Sequence, residues 1–415
     1  MKKTHAEDAG RVDVAVVGAG LVGLTAALGC AQMGLRTALI GPKPQALQPE
    51  PQVPQPKPQA PQPLPPPPFD VRIYALAPAT VAVLQRLRVW DAVDTQRVQS
   101  VQRMRVFGDE GRELQFDAYG AAVERLATIA EEAELARALI AASGFAPNLV
   151  RHAGTLAELK LEPQEAQLRL DTGAAFTAAL VIAADGARSA ARAAAGIAAT
   201  TAAYGQTALV ANFACARAHD ATAWQWFTDE GVVALLPLPA SATAPHAVSL
   251  VWSAPDAMAA QLAALPAAAL AERVTERVGG ALGALAPIGA TASFPLRRMS
   301  VARLVDARIA LAGDAAHLVH PLAGQGLNLG LLDVAALLDT LAAREPFRDL
   351  GDRVLLRRYA RARAEDLALM RTTTDGLARL FAIDDPLARR LRNDGLALVN
   401  RALPLKRALI RHALG

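Results

Sequence analysis

Cysteine is nearly absent: the 415-residue chain has two, Cys30 and Cys215, far apart and outside any CxxC spacing. That argues against a disulfide scaffold or a cysteine zinc site and fits a reducing cytoplasm. Aromatic residues are scarce at 4%. Neither charge sign dominates, with 43 Lys and Arg against 39 Asp and Glu, a net charge of +4. No Lys/Arg block or basic stripe interleaved with aromatics occurs, so no nucleic-acid partner is expected. The opening residues, MKKTHAEDAG, lack the apolar core of a signal peptide, and none is expected. Residues 14–35, 193–216 and 231–255 are free of charged residues, but five Gly, several Thr and Asn, and four Pro respectively make them poor membrane spans. The apolar composition leaves open a peripheral contact with the inner face of a membrane. What the chain does have is apolar residues, 53% of the total, enough for a large core in two domains or one composite domain.

Residues 12–17, VDVAVV, read as a strand, GAGLVG as a Gly turn, LTAALGCAQMG as a helix and 36–40 as a second strand. Residues 44–68 are roughly half Pro, interleaved with Gln, and read as an extended loop inserted after that strand. Helical spacing starts at Pro78. Strands are expected at 98–107 and 112–118, and a helix at 125–143. The stretch 148–183 is β-rich. Long strands follow at 204–215 and 231–253, a helix at 256–280, an extended FPLRRM at 294–299, and helices at 328–343, 352–381, 386–400 and 404–413. The dense Arg at 353, 357, 358, 361 and 363 reads as a solvated helix face.

Gly18, Gly20 and Gly23 form GxGxxG between a strand and a helix, the context in which the motif signals dinucleotide binding. One Gly permits the turn, one lets the backbone approach a pyrophosphate, and one lets helix and strand pack closely. The helix N-terminus offers free N–H groups to phosphate. The acid that normally ends the second strand and grips the ribose is missing, because Gly41 stands in its place. Farther on, GDAAHLVHPLAGQGLNLG at 313–330 follows a buried apolar run. His317 and His320 have a spacing that could serve a metal, but no third ligand lies near and Pro321 limits a helix there. No metal is expected, and a positional role for His317 is the better reading.

GAGLVG, AADGARS at 183–189 and the 313–330 block stand in the order of three fingerprints, and together they resemble the FAD-dependent aromatic hydroxylases. DVRIYALAPATVAVLQRLRVW, YGQTALVANF, WFTDEGVVALLPLP and the tail are similar to the branch that hydroxylates polyprenylated phenols in ubiquinone biosynthesis. The resemblance implies an α/β fold: a Rossmann-like FAD-binding domain, an interleaved β-sheet substrate domain and a C-terminal helical region. The FAD-binding domain would take 11–75, 119–203 and 303–360, the substrate domain 76–118 and 204–302, and the C-terminal helices 361–415. It implies FAD, with NADH or NADPH as reductant, dioxygen and a polyprenylated phenol as reactants, and a flavin hydroperoxide as the oxygen-transferring species.

By the same resemblance Gly18, Gly20 and Gly23 would hold the ADP half of FAD, and Arg72 would contact the flavin or its pyrophosphate. Asp185 and Gly186 match the second fingerprint. Asp314 would take a ribityl hydroxyl. Pro321, Gly324, Gln325 and Gly326 would lead into the helix facing the flavin ring. No catalytic base stands out; Tyr74, Tyr204 and His246 are conceivable. A hydroxylase of another aromatic substrate is one alternative; a non-catalytic flavin-binding subunit in contact with a biosynthetic complex, suggested by Gly41 and the Pro/Gln insert, is the other.

Overall fold

The structure is a computed structural model, and it describes residues 10–42, 69–108, 112–319 and 325–382. The Pro/Gln insert, His320, Pro321, Gly324 and the helices expected at 386–400 and 404–413 lie outside the described residues. The chain opens with β1 (Arg11–Val17), α1 (Leu21–Gln32) and β2 (Thr37–Gly41), the unit read from sequence. Next come β3 (Ile73–Leu76), α2 (Pro78–Arg86), β4 (Val98–Val101), β5 (Arg103–Phe107), β6 (Glu113–Asp117), β7 (Ala127–Glu131), α3 (Glu132–Ser143) and β8 (Leu149–Ala153). The antiparallel β9 (Leu156–Leu161), β10 (Ala166–Leu170) and β11 (Ala175–Ala183) lead to the short α4 (Ala190–Ala194). Then follow β12 (Ala199–Cys215), β13 (Thr222–Thr228), β14 (Gly231–Leu238), β15 (Ala247–Pro255), α5 (Asp256–Ala264), α6 (Ala267–Arg277) and β16 (Leu285–Val301). The last described elements are β17 (Val305–Asp306), β18 (Ile309–Leu311), β19 (His317–Leu318), α7 (Gln325–Ala342) and α8 (Arg353–Ala382).

One sheet runs β17-β18-β11-β1-β2-β8, with β18, β11, β1, β2 and β8 parallel. Alternation along β1 explains its two cores. Val14 and Val16 pack with α1, α3, α7 and α8, while Ala15 and Val17 pack with β9 and β10. A second sheet, β19-β16-β12-β15-β14-β13-β5-β6, buries Leu209, Phe213, Val233 and Trp252 against α5 and α6. A small third sheet, β3-β7-β4, packs Ile129 and Val101 onto the second near Leu238 and Ala247.

Four expected elements differ. The strand expected at 98–107 is two, β4 in the third sheet and β5 in the second, parted at Gln102. The helix expected at 125–143 begins only at Glu132, because Thr128 and Ile129 are β-branched and their strand is paired on both sides, by β3 and β4. The strand expected over 231–253 is two, β14 and β15, separated by a loop containing Pro239 and Pro245. The helix expected over 256–280 breaks before Pro266 into α5 and α6, since proline cannot donate its N–H to a continuing helix. One long helix, α8, runs from 353 to 382 across the boundary expected at 360/361.

Candidate flavin site

Three of the sequence motifs meet because their strands are neighbours. In register, Val17 lies beside Ala183 and Ala183 beside Leu311. Gly18, Asp185 and Asp314 therefore all follow the carboxyl ends of adjacent parallel strands, where open α/β sheets bind ligands. Gly18 has φ +110°, and a Cβ there would lie 2.2 Å from the carbonyl oxygen of Ala184. A Cβ on Gly23 would lie 1.8 Å from the Gly18 carbonyl oxygen. Beside Gly20, by contrast, the same position meets nothing within 4 Å. Two glycines thus serve close packing, and the third borders open space at the start of α1. The residues fit a dinucleotide. Gly23→Ala is expected to cost about 3 kcal/mol through overpacking against backbone, read as a lost or strongly lowered thermal transition. A normal melt with flavin bound would contradict this packing.

Arg72 immediately precedes β3. Its guanidinium pairs with Glu132 at 3.1 Å and lies 4.9 Å from the ring centroid of Phe294 in β16. The Tyr74 hydroxyl donates to the same carboxylate at 3.2 Å. Asp314 opens to the cleft, yet burial by the surrounding protein raises its pKa, with His317 and Arg72 acting in the opposite direction. The Asp185 carboxylate accepts from the Ser189 hydroxyl and, at 3.0 Å, from the Ala191 N–H, so it shapes the turn into α4. Gly186, at φ +79°, sits in that turn. Gln325 and Gly326 begin α7, which places them at a helix N-terminus as expected.

Several residues that hold these parts were not singled out from the sequence. Arg192 donates to the carbonyls of Ala187 and Ala315, both at 2.8 Å, and so ties the second motif to the third. Asn328 accepts from the Ala77 N–H at 2.9 Å and donates to the Ala75 carbonyl at 2.8 Å, fixing α7 to the end of β3. Asp333, fully buried in α7, accepts from the Gly313 N–H at 3.0 Å, from His317 Nε2 at 2.6 Å and from Arg363 Nε at 2.8 Å. Tyr359, in the same helix as Arg363, donates to the Leu311 carbonyl at 2.7 Å. Burial opposes charge on His317, but Asp333 outweighs it and holds the imidazole pKa above its ordinary value. Burial likewise pushes Asp333 up, and His317 with Arg363 overrides this to hold it down. The positional role read for His317 thus has a partner. The Arg-rich face is only partly solvated: Arg363 is 4% exposed, and Arg358 pairs with Glu345. Among the described residues no cluster of His, Cys, Asp and Glu could hold a metal.

The second sheet presents its other face beside Arg72 and Phe294. Register aligns Phe294, Ala208, Ser253, Val232 and Phe227 in one row, and Val210, Val251, Ala234 and Gln225 in the next. Both rows are mainly apolar.

Residues 69–371 match the family model described as FAD binding domain, and residues 13–54 match that of glucose inhibited division protein A. The chain is 35% identical to 3-demethoxyubiquinol 3-hydroxylase of Escherichia coli K12, covering 97% of this chain and 98% of that one. It is also 35% identical to the ubiquinone hydroxylase UbiL of Rhodospirillum rubrum, over 97% of this chain and 89% of that one. The chain belongs to the FAD-dependent hydroxylases of ubiquinone biosynthesis. This hydroxylase shares its fold with p-nitrophenol 4-monooxygenase PnpA of Pseudomonas putida, with TM-score 0.73, 18% identity and coverage of 98% and 99%. Klebsiella pneumoniae HpxO, complexed with FAD and uric acid, superposes with TM-score 0.70, at 17% identity, covering 96% and 97%. The hydroxylase is a flavoprotein monooxygenase with FAD as its cofactor, and its α/β architecture is the one the sequence motifs implied.

Proposed function

We propose that this hydroxylase adds one hydroxyl group to the aromatic ring of a polyprenylated phenol on the way to ubiquinone, using dioxygen, with NADH or NADPH as electron donor. The observation that carries the reading is the convergence of Gly18–Gly23, Asp185 and Asp314 on adjacent strand ends, beside a largely apolar sheet face. The names of the relatives at 35% identity supply the substrate class. Bound FAD supplies the activation of dioxygen and the delivery of one oxygen atom.

The chain's own residues bind, orient and exclude water. The first turn of α1 and Gly20 would receive the pyrophosphate, and Arg72, paired with Glu132 here, would turn to a cofactor oxygen. Asp314 would accept from a ribityl hydroxyl, its backbone held through Gly313 by Asp333. The start of α7 would lie against the flavin, where the partial positive charge of a helix N-terminus would favour negative charge on the cofactor. Val210, Val251 and Ala234 would exclude water and receive apolar substrate carbon, which would limit wasteful release of hydrogen peroxide. No helix among the described residues is long and apolar enough to cross a membrane. A prenyl tail partitions into lipid, and on that ground access to the substrate is assigned to peripheral contact with the membrane surface.

The test is the quinone profile of a deletion strain. One under-hydroxylated polyprenylphenol should accumulate and disappear on complementation; an unchanged quinone pool would overturn the substrate assignment. Substrate-dependent oxidation of the nicotinamide nucleotide by the purified protein separates this reading from a non-catalytic flavin subunit.

A further inference from the structure

The missing acid at Gly41 leaves the adenosine end of FAD without its usual ribose partner, and the structure shows why an acid cannot simply be restored. A Cβ on Gly41 would lie 2.4 Å from the Cβ of Ala19 and 2.9 Å from its backbone nitrogen, so Ala19 fills the space a side chain there would need. The Gly41 carbonyl accepts from the Gly154 N–H at 3.1 Å, which ties the end of β2 to the turn after β8.

The neighbouring strand offers a different group. In the parallel pairing of β2 with β8, Leu39 lies beside Arg151 and Gly41 beside Ala153. Register partners in a parallel pair share a face, so Arg151 stands on the face of Leu39 and Gly41, the side that carries α1. Leu149, two residues earlier on that face, still packs into the core with Leu39, whereas Arg151 lies beyond it and is exposed. No hydrogen bond or ion pair from a described residue reaches the Arg151 side chain, although the surrounding protein desolvates it enough to lower its pKa. A cation without a carboxylate partner among the described residues, on the neighbouring strand and two residues before the end that lost its acid, is within a long side chain's reach of a ligand there.

We propose that Arg151 takes over the adenosine end of FAD in this chain, laying its planar guanidinium against adenine and donating to ribose oxygens. A carboxylate grips ribose by accepting from the hydroxyls. A guanidinium can only donate, but a hydroxyl oxygen accepts as readily as its hydrogen donates. The flat, weakly hydrated guanidinium also stacks on aromatic faces, which a lysine ammonium does not do in the same way. The exchange of acid for arginine keeps the cofactor while changing which of its atoms are read.

The inference rests on FAD as the cofactor, not on the substrate. Its test is selection between FAD and FMN, which lacks the adenosine half. Purified full-length protein is dialysed against an equal mixture of the two flavins, and the bound flavins are separated and quantified. Wild type is expected to hold mainly FAD. Arg151→Ala is expected to lower the bound FAD:FMN ratio roughly tenfold, the size of one desolvated stacking contact, with total flavin at saturating concentration unchanged. An unchanged ratio overturns the proposal. So does loss of both flavins together, which would make Arg151 structural. A wild type that binds neither flavin would fail the cofactor assignment itself and is thus told apart from a failure of Arg151.

Discussion

Asp333→Asn is expected to lower folding stability by about 3–5 kcal/mol near neutral pH and to yield protein largely free of flavin. The carboxylate is fully buried and answers three donors, Gly313, His317 and Arg363. An amide keeps the shape but removes the charge and turns one acceptor into a donor. Arg363 would then keep Asp366 as its acidic partner, and its Nη2 already has no hydrogen-bond partner. The large cost arises from leaving His317 and Arg363 around a neutral amide, with only the half-exposed Asp366 to answer Arg363, not from the worth of the intact pair, which desolvation keeps modest.

The pH dependence follows from both partners. Asp333 has a depressed pKa, so its contribution is present above the ordinary 3.8 and is lost as pH falls through the folded value. His317 has a raised pKa, so its contribution is present below the ordinary 6.5 and is lost as pH rises through the folded value. The gap between wild type and Asp333→Asn is therefore widest from about pH 4 to about 6.5 and narrows on both sides. Urea unfolding across that range measures it; a gap independent of pH would show that the network carries no charge.

Asp314→Ala should separate binding from stability. Its carboxylate opens to the cleft and anchors no described element, so the apoprotein melt should move little. A charge-assisted hydrogen bond to the cofactor is worth about 1.5–3 kcal/mol, which corresponds to a loss of FAD affinity of roughly ten- to a hundredfold. After gel filtration the variant should emerge nearly colourless. Full FAD occupancy would remove Asp314 from the flavin arm, whereas loss of folded protein would recast it as structural.

The Gly loop was legible because every signal that defines it is local: a β-branched run, three glycines at fixed offsets and an apolar helix within a few dozen residues. The apolar strands of the second sheet were legible as strands, but Pro239 and Pro266 break apolar patterns whose period runs on across them. Thr128 and Ile129 carried a strand signal too short to stand against the helical spacing that follows them. Asp333 left a trace, a lone acid in the apolar stretch LLDVAALL, but its meaning depends on Arg363 in another helix. Arg363 is indistinguishable in sequence from the exposed arginines around it, and only packing selects it. Arg151 left no local signal at all, since strand register alone sets it near Gly41.

The order in which α8 is made has a consequence for synthesis. Gly313 and His317 emerge from the ribosome well before Arg363 and Tyr359, which secure them through Asp333 and Leu311. Until α8 is complete, the buried acid of α7, Asp333, lacks Arg363 and is left with His317 as its cationic partner. Docking of the Arg-rich helix therefore completes the support of this loop, and firm retention of FAD by the growing chain is expected only after it.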